Sequence, residues 1–189
     1  MCILAILGTC NRRSPSGLRD AALIAVVYLG ALRIHEALDL ADHDIEFAGE
    51  MRGRLVVNHG KGDKQRFVWL PDSVLDLVEK WITRKAALGI RGAWLFCTIS
   101  KPEPGKQLGY EHVRTMLRRR SQKVLGKKRA HWHGMRHGQA VDMRLREVAL
   151  EDIQAALGHE HLSTTELYLQ GLMPMGVMAA GRSNNWLVA

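Results

Sequence analysis

Cysteine is scarce in this chain, and what there is does not pair: Cys2, Cys10 and Cys97 are three in number, with no C-x-x-C spacing among them. Such a set supports neither a disulfide framework nor a thiolate zinc site, and it fits a reducing compartment, the cytoplasm. Long apolar runs are missing as well. No segment approaches the ~18 uninterrupted apolar residues of a membrane-spanning helix. The opening run, Met1 to Leu7, is too short to span and has no basic leader before it, so it reads as a helix fragment. Acidic residues are outnumbered, 19 against 27 lysines and arginines, and they nowhere gather in the way that holds magnesium. Gly60-Lys61-Gly62 lacks the rest of a phosphate-binding loop, which disfavours nucleotide hydrolysis. Internal repeats and low-complexity tracts are also absent.

What is present is an ordinary globular composition, 47% hydrophobic and 24% charged over 189 residues, enough for one domain with a substantial core. The net charge of +8 favours a polyanionic partner, nucleic acid first and an acidic membrane surface second. With no membrane segment, nucleic acid is the partner to test against the motifs.

Periodicity gives the elements. A loop over residues 8–17 precedes Leu18, Ala21, Ala22, Ala25, Val26 and Leu29, which repeat at helical spacing until Gly30 interrupts them. Arg33 to Leu40 reads as a further turn or two of helix, with Arg33 and Glu36 spaced i, i+3 to pair. Leu55-Val56-Val57 and Phe67-Val68-Trp69-Leu70 flank a turn-rich stretch and predict a β-hairpin with Lys61 at its tip. Pro71 opens a helix carrying Val74, Leu77, Val78, Trp81 and Ile82 on one face. Trp94 to Phe96 reads as a short strand. Residues 108–125 read as a helix with Tyr110, Val113, Leu117 and Val124 inward, closed by Gly126. Further helices are expected near 134–146, at 150–157 closed by Gly158, and after Ser163, where Ser163 and Glu166 have capping-box spacing. The fold class is therefore mainly α with a small antiparallel hairpin, α+β.

Six side chains in these elements suit phosphoryl transfer. Arg33 and Arg136 offer forked, permanently charged donors for non-bridging phosphate oxygens. Tyr168 is a lone tyrosine whose hydroxyl, with a reference pKa of about 10, needs a base and a positive field to attack near neutral pH. His133, i, i+3 from Arg136, is the candidate proton acceptor. Lys61 is the candidate acid for a departing sugar hydroxyl. His159 completes the cage by hydrogen bonding to a phosphate oxygen. Without a carboxylate cluster beside them, the set points to chemistry through a covalent phosphotyrosine with no metal and no cofactor.

These residues sit in four stretches: Gly30-Ala31-Leu32-Arg33-Ile34-His35-Glu36, Gly60-Lys61-Gly62-Asp63-Lys64-Gln65-Arg66, His133-Gly134-Met135-Arg136-His137, and Leu157-Gly158-His159 followed by Leu162-Ser163-Thr164-Thr165 and Tyr168. In order and spacing the chain resembles the catalytic domain of the tyrosine recombinases, the phage integrase family, over residues 18–170. Residues 171–189 would form a C-terminal tail. The resemblance implies the DNA breaking-rejoining enzyme fold and a site-specific DNA recombinase. In that reading Tyr168 attacks a DNA phosphodiester to give a 3′-phosphotyrosine and a free 5′-hydroxyl, and strand exchange proceeds through a Holliday junction. It also implies double-stranded DNA as partner, self-association into a tetramer, a supporting role for Glu36 beside Arg33, and a cytoplasmic, nucleoid-associated setting. Ala31 stands where the family usually has glycine, and Met135 where it has leucine. The family's N-terminal core-binding domain has no counterpart, so weak DNA binding and poor recombination are expected of this chain alone.

Other readings are set beside this one. Arg114, Arg118 with the rest of its run Arg119 and Arg120, Lys127, Lys128 and Arg129 are candidate DNA-backbone contacts or simply solvated charges. A histidine metal site drawn from His131, His133, His137, His159 and His161 lacks a completing Cys or Asp; His35, His43, His131, His137 and His161 are read as structural or surface residues. The alternatives to a recombinase are a non-cleaving DNA-binding remnant, relaxation of the type IB topoisomerase kind, and a metal-dependent nuclease. Trp186-Leu187-Val188 would suit burial against a neighbouring protomer.

Overall fold

The small side chains Ala21, Ala22 and Ala25 let other elements approach helix α2 (Pro15–Leu29) closely, and every residue of it from Gly17 to Tyr28 is buried. Ser14 caps its start, accepting the Gly17 amide at 3.1 Å, with Pro15 in the first turn where no donor is lost. This computed structural model describes residues 3–58, 65–126 and 129–172. Among them α1 (Ile3–Gly8) leads into α2, and a tight turn at Gly30 and Ala31 leads out of it to α3 (Ile34–Leu38). A single 3₁₀ turn, Asp42–Asp44, then feeds the hairpin.

Strands β1 (Arg54–Asn58) and β2 (Gln65–Trp69) pair antiparallel with Leu55 opposite Val68 and Val57 opposite Arg66. Alternation turns Leu55, Val57 and Val68 inward and leaves Phe67 and Trp69 exposed. Helix α4 (Asp72–Ala87) packs along α2 and inserts Trp81, fully buried, with its indole N–H donating to the Leu95 carbonyl at 2.8 Å. Helices α5 (Tyr110–Leu125) and α6 (Trp132–Leu145) complete the main core, and α7 (Leu150–Leu157) and α8 (Leu162–Leu172) follow. No helix among the described residues is long and apolar enough to cross a membrane.

Four expectations need correction. Trp94–Phe96 forms no strand; Trp94 makes one isolated bridge to Ala41, and Leu95 donates to Leu40, because no neighbouring segment runs alongside for longer. Tyr110 and Val124 face outward, at 41% and 40% exposure, since the buried stripe of α5 runs through Val113, Met116 and Leu117. Arg120 is neither a solvated charge nor free for phosphate: it donates to Thr9 and to Asp20, which also holds buried Arg19. Helix α8 begins at Leu162, so Ser163 lies inside the first turn and not at the cap. The Cys10 and Cys97 thiols are free and buried.

A second, smaller core positions the last helix. Ala31, Ala140, Ile153, Leu157 and Leu169 pack together, with Met143, Val148, Leu150 and Tyr168 partly buried against them. Each fully buried aliphatic side chain of this kind contributes roughly 1.5–3 kcal/mol. This cluster holds α8 against α6 and α7 at the C-terminal end of α2.

Candidate active site

Glu36 is the hub of the site. Its position in the first turn of α3 lets its carboxylate reach back to the Arg33 amide at 2.7 Å, capping the helix, while Oε1 accepts from the Arg33 guanidinium at 2.9 Å. Arg66, inward on β2, donates a fork to the same carboxylate at 2.9 and 2.7 Å. Arg136 lies 3.9 Å away from it. Burial of Glu36 favours its neutral form, but the hydrogen bonds and charge of Arg66, with the bonds from Arg33, outweigh burial and hold its pKa at about 2. One carboxylate thus orders three guanidiniums. Only Arg33 among them turns half its side chain to solvent, where a phosphate can be met.

Arg136, 3% exposed, comes from the buried face of α6. It donates to the Ala31 carbonyl at 2.7 Å and to the Leu157 carbonyl, which ties α6 to the ends of α2 and α7. Burial, then the charge of Arg33, pushes its pKa down to about 10, so it stays cationic at neutral pH. Ala31 adopts a φ of 49°, a left-handed conformation that costs a non-glycine residue about 1–2 kcal/mol and explains why glycine suits this position.

His159 follows Gly158, whose φ of 62° is the left-handed cap that ends α7. Thr165, fully buried in α8, meets His159 Nδ1 at 3.0 Å. That leaves Nε2 for a ligand, and an Nε2–H donor requires that Nδ1 accept the threonine proton. Burial, then Arg136 and Arg33, lowers the His159 pKa, so the ring is neutral near pH 7.

Tyr168 lies half-buried between two imidazoles. Its ring stacks on His137 at 4.6 Å between centroids and 27°, and meets His159 edge-on at 5.3 Å. Exposed His133 touches His137 edge-on at 3.9 Å. Its hydroxyl oxygen is buried and meets no partner at full hydrogen-bond geometry among the described residues. Burial raises its pKa, while the Arg136 and Arg33 charges pull it down.

The structure therefore brings together Arg33 and Glu36 from the start of α3, Arg136 from α6, His159 from the end of α7 and Tyr168 from α8, with His137 in contact with both His133 and Tyr168. Lys61, and the backbone candidates Lys127 and Lys128, lie outside the described residues. Arg114, Arg118 and Arg129 are exposed, and Arg114 is engaged by Glu111 at 2.6 Å. Three contributors were not assigned a role by the sequence: Arg66, His137 and Thr165. All three stand within the quoted motifs, so the residues were visible and only their contacts were not. Among the described residues no group of three or more His, Cys, Asp and Glu side chains could hold a metal ion.

The family model for the phage integrase family matches residues 2–173. The chain belongs to the phage integrase family. Relatives in that family include a tyrosine recombinase XerC of Shewanella oneidensis, 31% identical over 82% of this chain and 48% of its own length. Another is a tyrosine recombinase of Thermosipho africanus, 32% identical over 88% of this chain and 54% of its own. This family member thus spans about half the length of the relatives it matches. Among solved structures, XerA recombinase superposes with a TM-score of 0.78 at 19% identity, over 94% of this chain and 60% of the other. XerH site-specific recombinase bound to its palindromic difH substrate gives 0.75 at 23%, over 94% and 50%. These likenesses establish the recombinase catalytic-domain fold.

Proposed function

We propose that this chain is the catalytic domain of a site-specific recombinase, a DNA strand cleavage and ligation enzyme acting through a 3′-phosphotyrosine. What carries the reading is the convergence of Arg33, Arg136, His159 and Tyr168, each from a different element, with both guanidiniums on one Glu36 carboxylate and both charges felt by His159 and Tyr168. Arg33 and Arg136 bind the non-bridging oxygens of a scissile phosphodiester, and their charge rises in value as charge builds at phosphorus. His159 Nε2–H donates to one of those oxygens. The Tyr168 oxygen attacks phosphorus, forming the tyrosyl-phosphate bond as the bond to the 5′ oxygen breaks. His133 takes the phenolic proton, and Lys61 gives one to the leaving 5′ oxygen. Attack by a second strand's 5′-hydroxyl reverses these steps, so the bond energy is conserved and no nucleotide is consumed.

Double-stranded DNA is the proposed substrate, with tetrameric self-association on paired sites and a cytoplasmic, nucleoid-associated setting. Arg114, Arg118, Lys127, Lys128 and Arg129 are proposed as backbone contacts, supported by the basic charge. The reading is tested with a pool of nicked suicide duplexes. A denaturant-resistant protein–DNA adduct should form in excess chelator and disappear in Tyr168→Phe. An equal adduct from Tyr168→Phe would overturn it, and DNA binding without any adduct would leave the chain a non-cleaving DNA-binding piece.

A further inference from the structure

We infer that His137 is a positioning residue for Tyr168, its ring serving as the surface on which the tyrosine ring is set for attack. This rests on the reading of Tyr168 as the nucleophile. The centroid separation of 4.6 Å at 27° is that of an offset face-to-face contact. The contact is made through ring faces and not through a shared proton, because His137 Nδ1 is buried with no hydrogen-bond partner among the described residues.

The position of His137 in the chain gives the contact its consequence. His137 follows Arg136 directly in α6, and Arg136 is fixed by the Ala31 and Leu157 carbonyls. The tyrosine comes from α8, which reaches α6 through the small apolar cluster and this ring. His159 bounds the tyrosine edge-on from the α7 end, held in turn by Thr165. His133, one turn before His137 in α6, packs edge-on against the same imidazole, 3.9 Å between ring centroids. Burial, then the neighbouring His133 and Arg136, lowers the His137 pKa, so a neutral ring faces Tyr168 without adding charge to the site. The stack therefore sets the separation between the attacking oxygen and the guanidinium that holds the phosphate.

The chain has three tyrosines, so ¹³C-tyrosine labelling gives three ring signals, and Tyr168→Phe assigns the one that matters. His137→Ala should move the Tyr168 signal and leave those of Tyr28 and Tyr110 in place. His137→Phe should keep it shifted by a stacked ring. In single-turnover adduct formation on the nicked pool, His137→Ala should lower the rate by ~100-fold, the order expected for a nucleophile about 1 Å out of place, with DNA affinity unchanged. His137→Phe should restore most of that rate. An unmoved Tyr168 signal in His137→Ala overturns the inference. So does a Phe variant as slow as the Ala variant, which would make the imidazole nitrogen and not the ring the working part. If the native protein itself forms no adduct, the nucleophile reading falls and the positioning role with it; failure of the inference alone appears only in the variants.

Discussion

Replacing Glu36 by glutamine keeps the shape of the side chain and removes its charge. The native carboxylate is 8% exposed and accepts four hydrogen bonds, two from Arg66 and two from Arg33. Glutamine retains one acceptor oxygen but turns an NH₂ toward a guanidinium, leaving buried Arg66 and Arg136 without their counter-charge. The fall of the Glu36 pKa from an ordinary 4.5 to about 2 corresponds to about 3 kcal/mol of preference for the charged form in the folded state. That agrees with the ~3–5 kcal/mol expected when one partner of a buried ion pair is removed. At neutral pH the urea midpoint should therefore drop by roughly 1.5 M at a slope of about 2 kcal/mol/M. Because the folded-state pKa is depressed, this stabilisation is complete above pH ~4.5, the unfolded value, and fades as pH falls toward 2. The gap between native protein and Glu36→Gln should shrink by about half near pH 3. Urea titrations at pH 7, 5 and 3 measure it. Equal midpoints at pH 7, or a gap that does not change with pH, would refute the reasoning.

Glu147 closes α6 at a φ of 61° with its side chain exposed, so Glu147→Gly should stabilise the protein by about 1 kcal/mol, a rise of about 2–4 °C in thermal melting. Gly158 has the opposite sign: Gly158→Ala should cost about 1 kcal/mol, read by the same melts, and slow adduct formation by shifting His159. Thr165→Val removes the hydroxyl at His159 Nδ1 and should lower the cleavage rate roughly 10-fold, with Thr165→Ser recovering it; equal rates in all three proteins would deny the hydrogen bond a role.

The sequence announces the elements whose pattern is local. Helix α7 and its Gly158 stop, the hairpin strands and the buried stripe of α4 all follow from spacing and turn residues. The candidate site was legible for a different reason: Arg33, Arg136, His159 and Tyr168 carry chemistry that few other residue types supply, in an order shared with a known family. What spacing does not show is which side chain answers which. Arg66 reads as an inward strand residue until the fold lays it against Glu36. His137 sits beside Arg136 in the chain, but only the return of α8 brings Tyr168 onto it. The Ala31 and Leu157 carbonyls that fix Arg136 have no sequence pattern at all, since every residue has a carbonyl. Trp94 misled because β-branched and aromatic runs mark a strand only when another segment lies alongside. The 186–188 tail and the Lys61 turn lie outside the described residues.

The central claim is that Tyr168 forms a covalent bond to DNA phosphorus. Digestion of the trapped adduct with protease and nuclease, followed by mass spectrometry, locates the nucleotide directly. The account predicts a 3′-nucleotide on the peptide containing Tyr168 and on neither of the other tyrosines. A nucleotide found on another residue, or attached through its 5′ phosphate, would contradict it.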